Sequence, residues 1–214
     1  MALFGRERAT ARPAVPIRLH LGCGQSPIPG WLNIDVQQLP GVDRVLDVRR
    51  GLPFENVAAI YGEHFLEHLE LQEGLACLVE CRRALAPEGI LRVSTPNLDW
   101  VLESHYRYGQ WASADEAISD CFRMNRAFHG WGHRFLYNRQ ALEAALRAAG
   151  FARITMHRYG ESDITELAGL ERHEKSGDTA ELPHVLIAQA SGRGQRTEIS
   201  RELLEEYRQA LEAR

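Results

Sequence analysis

Several features that would mark particular protein classes are missing from this 214-residue sequence. It contains no run of about eighteen uninterrupted apolar residues, so no segment is expected to span a bilayer, and no apolar signal segment follows the first charges. The 25 basic and 29 acidic side chains nearly balance at a formal net charge of -4, without a long basic run. We therefore expect a cytoplasmic protein with no membrane association and no clear nucleic-acid binding.

Cysteine is scarce, and its spacing does not fit a metal or redox site. The four cysteines form no Cys-x-x-Cys pair. Two of them are one turn apart on a predicted buried helix face, where thiols usually only pack. We interpret all four as reduced, structural thiols. They are Cys23, Cys77, Cys81 and Cys121.

What the sequence does contain is a short apolar strand that ends in two glycines. Ile17, Leu19 and Leu21 alternate as in a strand, and Gly22 and Gly24 permit a sharp turn at its carboxyl end. In open α/β sheets ligands bind at that end, where glycine lets a cofactor approach the main chain. Gly-x-Gly also occurs for steric reasons alone, so the motif needs support from the rest of the chain.

Two more strands follow at short spacing, and each ends near an acid. Residues 31–36 are predicted as the second strand, with Asp35 near its end, and residues 44–48 as the third, with Asp47. The linking segments, of about ten and about eight residues, are too short for a helical crossover, so we expect a turn or one helical turn in each. Such acids can bind a ribose diol and an adenine amino group, although each alone could simply terminate its strand.

The remaining pattern completes an α/β domain. Apolar periodicity predicts a helix that Pro87 and Gly89 end, and another between Asn138 and Gly150. The organisation we expect is a loose arm over residues 1–16, one domain over 17–190, and a linker and amphipathic helix over 191–214 through which the chain could oligomerise. The further strands are predicted at residues 58–62, 90–95, 151–157 and 184–190.

Residues 97–137 differ from the rest of the domain because they are rich in aromatic side chains, weakly periodic and longer than a crossover requires. Insertions beyond the carboxyl edge of a sheet commonly form lids, and we predict a lid here. The alternative is a second small core in which the rings pack only on each other. The aromatic residues are Trp100, Tyr106, Tyr108, Trp111, Phe122, Phe128, Trp131, Phe135 and Tyr137.

Residues 64–68 read His-Phe-Leu-Glu-His and match the His-x-x-Glu-His signature of the inverzincin metallopeptidases. Histidines at i and i+4 share one face of a helix, which suits zinc, and Glu67 could serve as the base. The motif, however, opens directly from a strand, and no clear helix with a third ligand follows. We therefore expect no metal and interpret His68 as a packing or helix-capping residue.

Taken in order, these segments resemble the class I S-adenosylmethionine-dependent methyltransferases, in particular a small branch often encoded with glycan-biosynthesis enzymes. The resemblance implies a Rossmann-like, largely parallel seven-stranded sheet with a terminal hairpin, shortened early crossovers and a helical lid. It also implies S-adenosylmethionine as the cofactor and S-adenosylhomocysteine as the product. The matching segments are residues 19–24, 29–35, 47–54, 64–69, 83–89 and 169–173.

The resemblance assigns cofactor contacts position by position. The glycine loop would wrap the methionine end, Asp35 would hold the ribose, and Asp47 and Val48 would face adenine. His20 stands where the family often has an acid, and the segment from Gln25 lacks the family's third glycine. The implied cofactor residues are His20, Gly22, Cys23, Gly24, Gln25, Asp35, Val36, Asp47, Val48, Glu63 and His64.

The acceptor is less constrained than the cofactor. On the resemblance alone, we expect a hydroxyl of a sugar or another small metabolite, and a hydroxyl must lose its proton during transfer. His64 and His133 are the candidate bases, since histidine titrates near neutrality. The alternatives are an N- or carboxyl-methyltransferase and a protein that binds S-adenosylmethionine without catalysis.

Overall fold

The computed structural model describes residues 16–172 and 181–213, so the predicted arm is almost entirely outside the described residues. A seven-stranded sheet runs through the domain in the order β3-β2-β1-β4-β5-β7-β6. β7 is antiparallel to both of its neighbours, and the other strands are parallel to one another. The strands are β1 (Arg18–Leu21), β2 (Leu32–Asp35), β3 (Arg44–Val45), β4 (Val57–Glu63), β5 (Leu85–Pro96), β6 (Phe151–His157) and β7 (Val185–Arg193). The predicted α/β fold with its terminal antiparallel pair is confirmed.

The α-helices of the described residues all follow β4 in the chain, and two of them belong to the insertion after β5. In the described stretch from β1 to β4 the crossovers contain only one 3₁₀ turn, Val48–Arg50. The predicted short crossovers are therefore confirmed. The helices are α1 (Leu71–Ala84), α2 (Leu98–His105), α3 (Ala114–His129), α4 (Arg139–Ala148) and α5 (Arg201–Glu212).

The main core is on the face of the sheet that α1 and α4 cover. Leu19, Ile60 and Leu91 of the central strands are fully buried there against the apolar faces of these two helices. All four cysteines are free, as predicted, and three are buried. Cys121 is exposed on α3, so the interpretation of it as a structural thiol is wrong.

Three boundaries differ from the prediction. The third strand, predicted over residues 44–48, ends at Val45, and Val48 already belongs to a 3₁₀ turn that Asp47 caps. The first helix ends at Ala84, because Leu85 already pairs with Val57 and a bulge precedes the pairing of Ile90 with Ala59. In that bulge a side chain at Gly89 would come 2.6 Å from the carbonyl oxygen of Val57. Pro87 and Gly89 thus belong to an irregular strand and do not end the helix. At the other end, β7 runs to Arg193 and includes the first residues of the predicted linker.

The amphipathic carboxyl-terminal helix is present as α5. Its Tyr207 ring contacts Phe135, with ring centroids 5.6 Å apart, so part of the apolar face packs on the same chain. Its use in oligomerisation stays a prediction. Among the described helices, none has both the length and the apolar character that crossing a membrane would require.

Candidate active site

The principal cavity is at the carboxyl edge of the sheet, where the strand order reverses. Successive strands leave β1 on both sides, to β2 in one direction and to β4 in the other. Ligands of open α/β sheets bind at such a switch point. The cavity has a volume of about 710 Å³, and its lining combines the glycine loop, the end of β4 and the insertion. Lining residues include His20, Gly22, Cys23, Gly24, Gln25, Glu63, His64, Trp131 and His133.

The two glycines of the loop are required for different reasons. Both have positive φ, 63° at Gly22 and 51° at Gly24, which side-chain-bearing residues rarely adopt. A Cβ at Gly22 would be 2.5 Å from the ring of Phe65, whereas a Cβ at Gly24 would meet nothing within 4 Å. Gly22 is thus explained by internal packing. Gly24 leaves open space in the cavity wall that a ligand can approach.

Asp35 at the end of β2 anchors this loop. One carboxylate oxygen accepts a hydrogen bond of 2.9 Å from the Gly24 N–H, and the other accepts one of 2.9 Å from the Gln37 N–H. Each oxygen retains a second lone pair, so the carboxylate can also accept hydroxyl donors. The structure therefore places Asp35 directly behind the glycine loop, although Asp35 itself is not among the residues that line the cavity.

The residues predicted to face adenine are outside the cavity lining. Asp47 binds the Arg49 guanidinium through both oxygens, at 2.8 and 2.9 Å, and these hydrogen bonds lower the pKa of Asp47. Val48 is buried in the core, and Val36 is exposed beyond β2. The structure does not bring Asp47, Val36 or Val48 together with the glycine loop, and their cofactor roles stay predictions.

His20 lies inside β1 and is only 3% exposed. Its Nδ1 is 3.1 Å from Oδ1 of Asn33, an amide oxygen that also accepts the Ile28 N–H. Because an amide oxygen can only accept, Nδ1 carries the proton and Nε2 retains its lone pair. Burial lowers the pKa of His20, so the ring is neutral near pH 7. A neutral acceptor therefore occupies the position where the family often has an acid.

Glu63, the last residue of β4, connects the cavity to a distant loop. Its Oε1 accepts a hydrogen bond of 2.7 Å from the backbone N–H of Arg172. The Arg172 guanidinium in turn donates to the backbone carbonyls of Ser26 and Pro27. The loop at residue 172 is thereby held over the segment that follows the glycine loop.

His64 follows β4 directly in a strained, left-handed conformation, with φ of 44°. Its Nδ1 is 3.1 Å from Oε1 of the fully buried Glu67. The chain forms only a 3₁₀ turn over Leu66–His68, and α1 begins at Leu71. His64 and His68 therefore do not share a helix face, and the metallopeptidase geometry is not formed.

The reason for this local structure is a long-range contact. The Glu67 carbonyl accepts the backbone N–H groups of Arg134, at 2.7 Å, and Phe135, at 3.2 Å. An α-helix would use the same carbonyl for its own fourth following residue. The N-cap of α1 is Glu70, which forms a capping box with Glu73. The interpretation of His68 as a cap of this helix is therefore wrong.

His133 reaches the cavity from the end of the insertion. Its Nδ1 is 2.8 Å from the carbonyl oxygen of Ala127, so in the neutral ring Nδ1 is protonated and Nε2 retains a lone pair. The ring centroids of His133 and His68 are 5.4 Å apart. The structure thus places both predicted histidines, His64 and His133, at one cavity.

Five aromatic side chains of the insertion fall into two groups, whereas Phe135 and Tyr137 pack with the main core and Phe122 and Phe128 are exposed. Trp100 and Trp131 line the cavity. Tyr106, Tyr108 and Trp111 contact one another elsewhere on the insertion, with ring centroids 5.5 to 6.4 Å apart. These three rings contact one another, but Tyr106 and Tyr108 are exposed, so they form a surface cluster and not the small separate core considered from the sequence.

Asp120 anchors this second group. Its carboxylate accepts hydrogen bonds from the Arg107 N–H at 3.0 Å and from the Trp111 indole at 2.9 Å. These donors, the Arg107 backbone N–H first, lower the pKa of Asp120 to about 2. The carboxylate therefore stays ionised at all ordinary pH values.

Sequence reasoning missed several cavity residues. Glu67 was considered only within the metallopeptidase motif, and Arg172 belongs to a segment of the family resemblance without an assigned role. His105 and His184 have no local pattern that could have identified them, since the fold alone brings them to the cavity. These additional lining residues are Glu67, His68, Trp100, His105, Arg172 and His184.

Comparison with known proteins gives similarity of fold. No protein-family model and no curated protein matches the chain. A SAM-dependent methyltransferase from Archaeoglobus fulgidus superposes at a TM-score of 0.51 with 15% identity, over 82% of this chain and 85% of that one. A possible histamine N-methyltransferase from Thermotoga maritima gives 0.50 with 10% identity, over 84% and 83%.

The CMeT domain of citrinin polyketide synthase gives a TM-score of 0.51 with 12% identity, over 84% of this chain and 47% of that one. The chain thus spans about half the length of that domain structure. At 10 to 15% identity these likenesses concern the fold. This chain therefore has the fold of the class I S-adenosylmethionine-dependent methyltransferases.

Proposed function

We propose that the protein is an S-adenosylmethionine-dependent methyltransferase whose acceptor is a hydroxyl of a sugar or another small metabolite. The observation that carries the proposal is the cavity of about 710 Å³ at the switch point between β1 and β4, with the glycine loop on one side and the insertion on the other. Cavities of roughly 300–1,000 Å³ are typical of small-molecule sites.

The residues around the glycine loop fit this cofactor. The open space beside Gly24 admits a ligand against the main chain. Asp35 can accept ribose hydroxyls, and the neutral Nε2 of His20 can accept an N–H of the methionine ammonium group. When bound, S-adenosylmethionine supplies an electrophilic methyl group, whose bond to sulfur breaks as its bond to the acceptor oxygen forms, leaving S-adenosylhomocysteine.

The residues of the insertion fit an acceptor. Trp100 and Trp131 offer flat apolar faces on which a sugar ring can stack. His133 and His64 are on the same side, and the unprotonated Nε2 of His133 can take the hydroxyl proton. A cover over the cavity also excludes water from the reacting groups.

Calorimetry with S-adenosylhomocysteine and methyl transfer from labelled S-adenosylmethionine to a panel of sugars and small alcohols test the proposal together. We expect saturable binding and acceptor-dependent release of S-adenosylhomocysteine. Absence of binding would contradict the proposal. Binding without turnover on any hydroxyl, amine or carboxyl acceptor would indicate a non-catalytic cofactor-binding protein.

His133→Ala separates acceptor chemistry from cofactor binding. We expect turnover to fall about 100-fold or more, the usual contribution of acid–base catalysis, with S-adenosylhomocysteine affinity within about twofold. His129→Ala is the matched control, since His129 is exposed at the end of α3 and outside the cavity lining. Wild-type turnover in His133→Ala would move the base assignment to His64.

A further inference from the structure

We propose that Glu67, His68 and His133 bind a divalent transition-metal ion, with Zn²⁺ the best match, at the acceptor end of the cavity. One ligand atom from each of the three residues is within 4.8 Å of the others. Tetrahedral zinc holds its ligand atoms about 3.3 Å apart, and the exposed His68 imidazole can rotate to close the difference. The ligand set therefore differs from the metallopeptidase motif, because His133 takes the place of His64.

His133 is already oriented as metal-binding histidines are. A ligating imidazole usually donates its other ring N–H to a carbonyl or carboxylate, which fixes the tautomer and the ring plane. The Nδ1 of His133 meets the Ala127 carbonyl at 2.8 Å, so its Nε2 is the ligand atom. This hydrogen bond stays within the insertion and does not depend on the bound ion.

Glu67 is a carboxylate that the fold has buried and oriented. Its side chain is fully buried, Thr95 Oγ1 donates to Oε2 at 3.0 Å, and His64 Nδ1 is 3.1 Å from Oε1. Among the described residues, no lysine or arginine forms an ion pair with it. Buried carboxylates are normally paired with a cation or coordinate a metal, and each oxygen here retains a lone pair for one.

The backbone holds the two halves of the site together before any ion binds. The Glu67 carbonyl accepts the N–H groups of Arg134 and Phe135, the residues directly after His133. Gly132 lies beside His68, since a Cβ there would be 3.7 Å from its Nδ1. Trp131 is held at a positive φ of 54°, and strain in a non-glycine residue is typical of functional sites.

Two imidazoles and one carboxylate are the ligand set of many catalytic zinc sites, which keep a fourth position open. All three residues line the cavity, so an ion that they held would be accessible to a bound acceptor. Resting on the proposed function, the ion would orient the acceptor oxygen and lower the pKa of its hydroxyl, so that the proton passes to water. His133 would then act as a ligand and not as the base.

Metal titration of the full chain tests the site. After chelator has removed bound metal, the chain is titrated with Zn²⁺ and freed of excess ion, and we expect elemental analysis to find one Zn²⁺ per folded chain. Co²⁺ added in the same way should give the visible bands of a low-symmetry site. Mg²⁺ should not compete, because imidazole ligands favour transition metals. The same ligand set also suits Fe²⁺, so an anaerobic Fe²⁺ titration is included, and saturable binding of either transition metal supports the site.

Variants locate the bound ion. We expect His68→Ala and His133→Ala to weaken Zn²⁺ binding more than about 100-fold and Thr95→Val, which acts through Glu67, about tenfold. His129→Ala should bind as the wild type does. Wild-type Zn²⁺ affinity in His68→Ala and His133→Ala, or no saturable binding by the wild type, would overturn the proposal.

S-adenosylhomocysteine calorimetry on the same samples reports folding and keeps the two proposals separate. Loss of Zn²⁺ with unchanged S-adenosylhomocysteine affinity in the ligand variants supports the metal site. S-adenosylhomocysteine binding by a wild type that takes up no transition metal overturns the metal site alone. Zn²⁺ binding without S-adenosylhomocysteine binding supports the metal site and contradicts the proposed methyltransferase.

Discussion

The two sides of the cavity, to which the proposed function assigns the cofactor and the acceptor, are built in opposite ways. Apart from the end of β4 and the loop at Arg172, the cofactor side comes from one continuous segment, in which the Asp35 carboxylate accepts the Gly24 N–H and His20 meets Asn33 on the next strand. The acceptor side combines residues from the turn after β4, the insertion and the segment just before β7, held by contacts such as that between Arg134 and the Glu67 carbonyl. The cofactor side is therefore readable as a motif, whereas the acceptor side exists only once the domain has folded.

The largest effect we expect is the loss of folding stability in Gly22→Ala, a substitution in the glycine loop on the cofactor side. The new Cβ would be 2.5 Å from Phe65 in a backbone with φ of 63°. The left-handed conformation and the overpacking together should lower the free energy of unfolding by about 2 to 4 kcal/mol. Urea denaturation followed by circular dichroism measures this.

Gly24→Ala is the matched comparison within the same loop. Its Cβ would meet no atom within 4 Å, so only the backbone conformation is penalised, by about 1 to 2 kcal/mol. We expect S-adenosylhomocysteine affinity to fall instead, because the added methyl group occupies cavity space. Equal losses of stability in Gly22→Ala and Gly24→Ala would show that the Phe65 side chain moves to accommodate the new Cβ. Both glycines would then be required only for the backbone conformation of the turn.

Asp35→Ala should weaken S-adenosylhomocysteine binding by about 1 to 3 kcal/mol, because buried hydroxyl donors lose their acceptor. Asp35→Asn retains an oxygen that can accept the Gly24 N–H. Its affinity for S-adenosylhomocysteine should therefore lie between those of the alanine variant and the wild type. Calorimetry provides the affinities. Unchanged affinity in Asp35→Ala would remove this residue from the cofactor site.

The same contrast explains how much the sequence could predict. The strand positions, the short crossovers and the glycine loop follow from local periodicity and from the two glycines, whereas the largely parallel sheet with its terminal hairpin is implied only by the family resemblance. The turn after β4 could not be predicted, because the partners of the Glu67 carbonyl are Arg134 and Phe135, far away in the chain. Residues 64–68 therefore read as a helix from the sequence and fold as a strained turn.

The positions of the two strand-end acids show the same limit of prediction from the sequence. Asp35 and Asp47 were equivalent as acids near strand ends. In the structure one anchors the glycine loop and the other binds Arg49, a neighbour two residues away. Nothing in the strand pattern distinguishes these two outcomes, since the difference depends on where the strand ends and which donors face it.

A smaller effect that we expect is a pH dependence of folding stability, which arises from His20 on the cofactor side. Burial lowers the pKa of His20 below its ordinary 6.5, so the native ring stays neutral where the unfolded chain already binds a proton. Stability is therefore fully retained above pH 6.5 and falls as the pH decreases below it, by at most about 1.4 kcal/mol per pH unit.

His20→Gln is the control for this effect, because glutamine can donate to Asn33 Oδ1 but does not titrate. The difference in free energy of unfolding between wild type and variant should narrow as the pH falls from 6.5 to about 5. Urea denaturation at each pH measures it. A constant difference across this range would show that His20 titrates equally in the native and unfolded chains.

The smallest effects should come from two exposed aromatic residues on the acceptor side. Trp131 lines the cavity and is 67% exposed, whereas Tyr108 is 80% exposed in the separate aromatic group. Both truncations should change stability by less than about 0.5 kcal/mol, since exposed rings contribute little to folding. Trp131→Ala should raise the acceptor KM about two- to tenfold through lost stacking, with kcat less affected. Tyr108→Ala should change neither the acceptor KM nor kcat. If the two substitutions had equal effects on the acceptor KM, the rings of the insertion would act only by packing on each other.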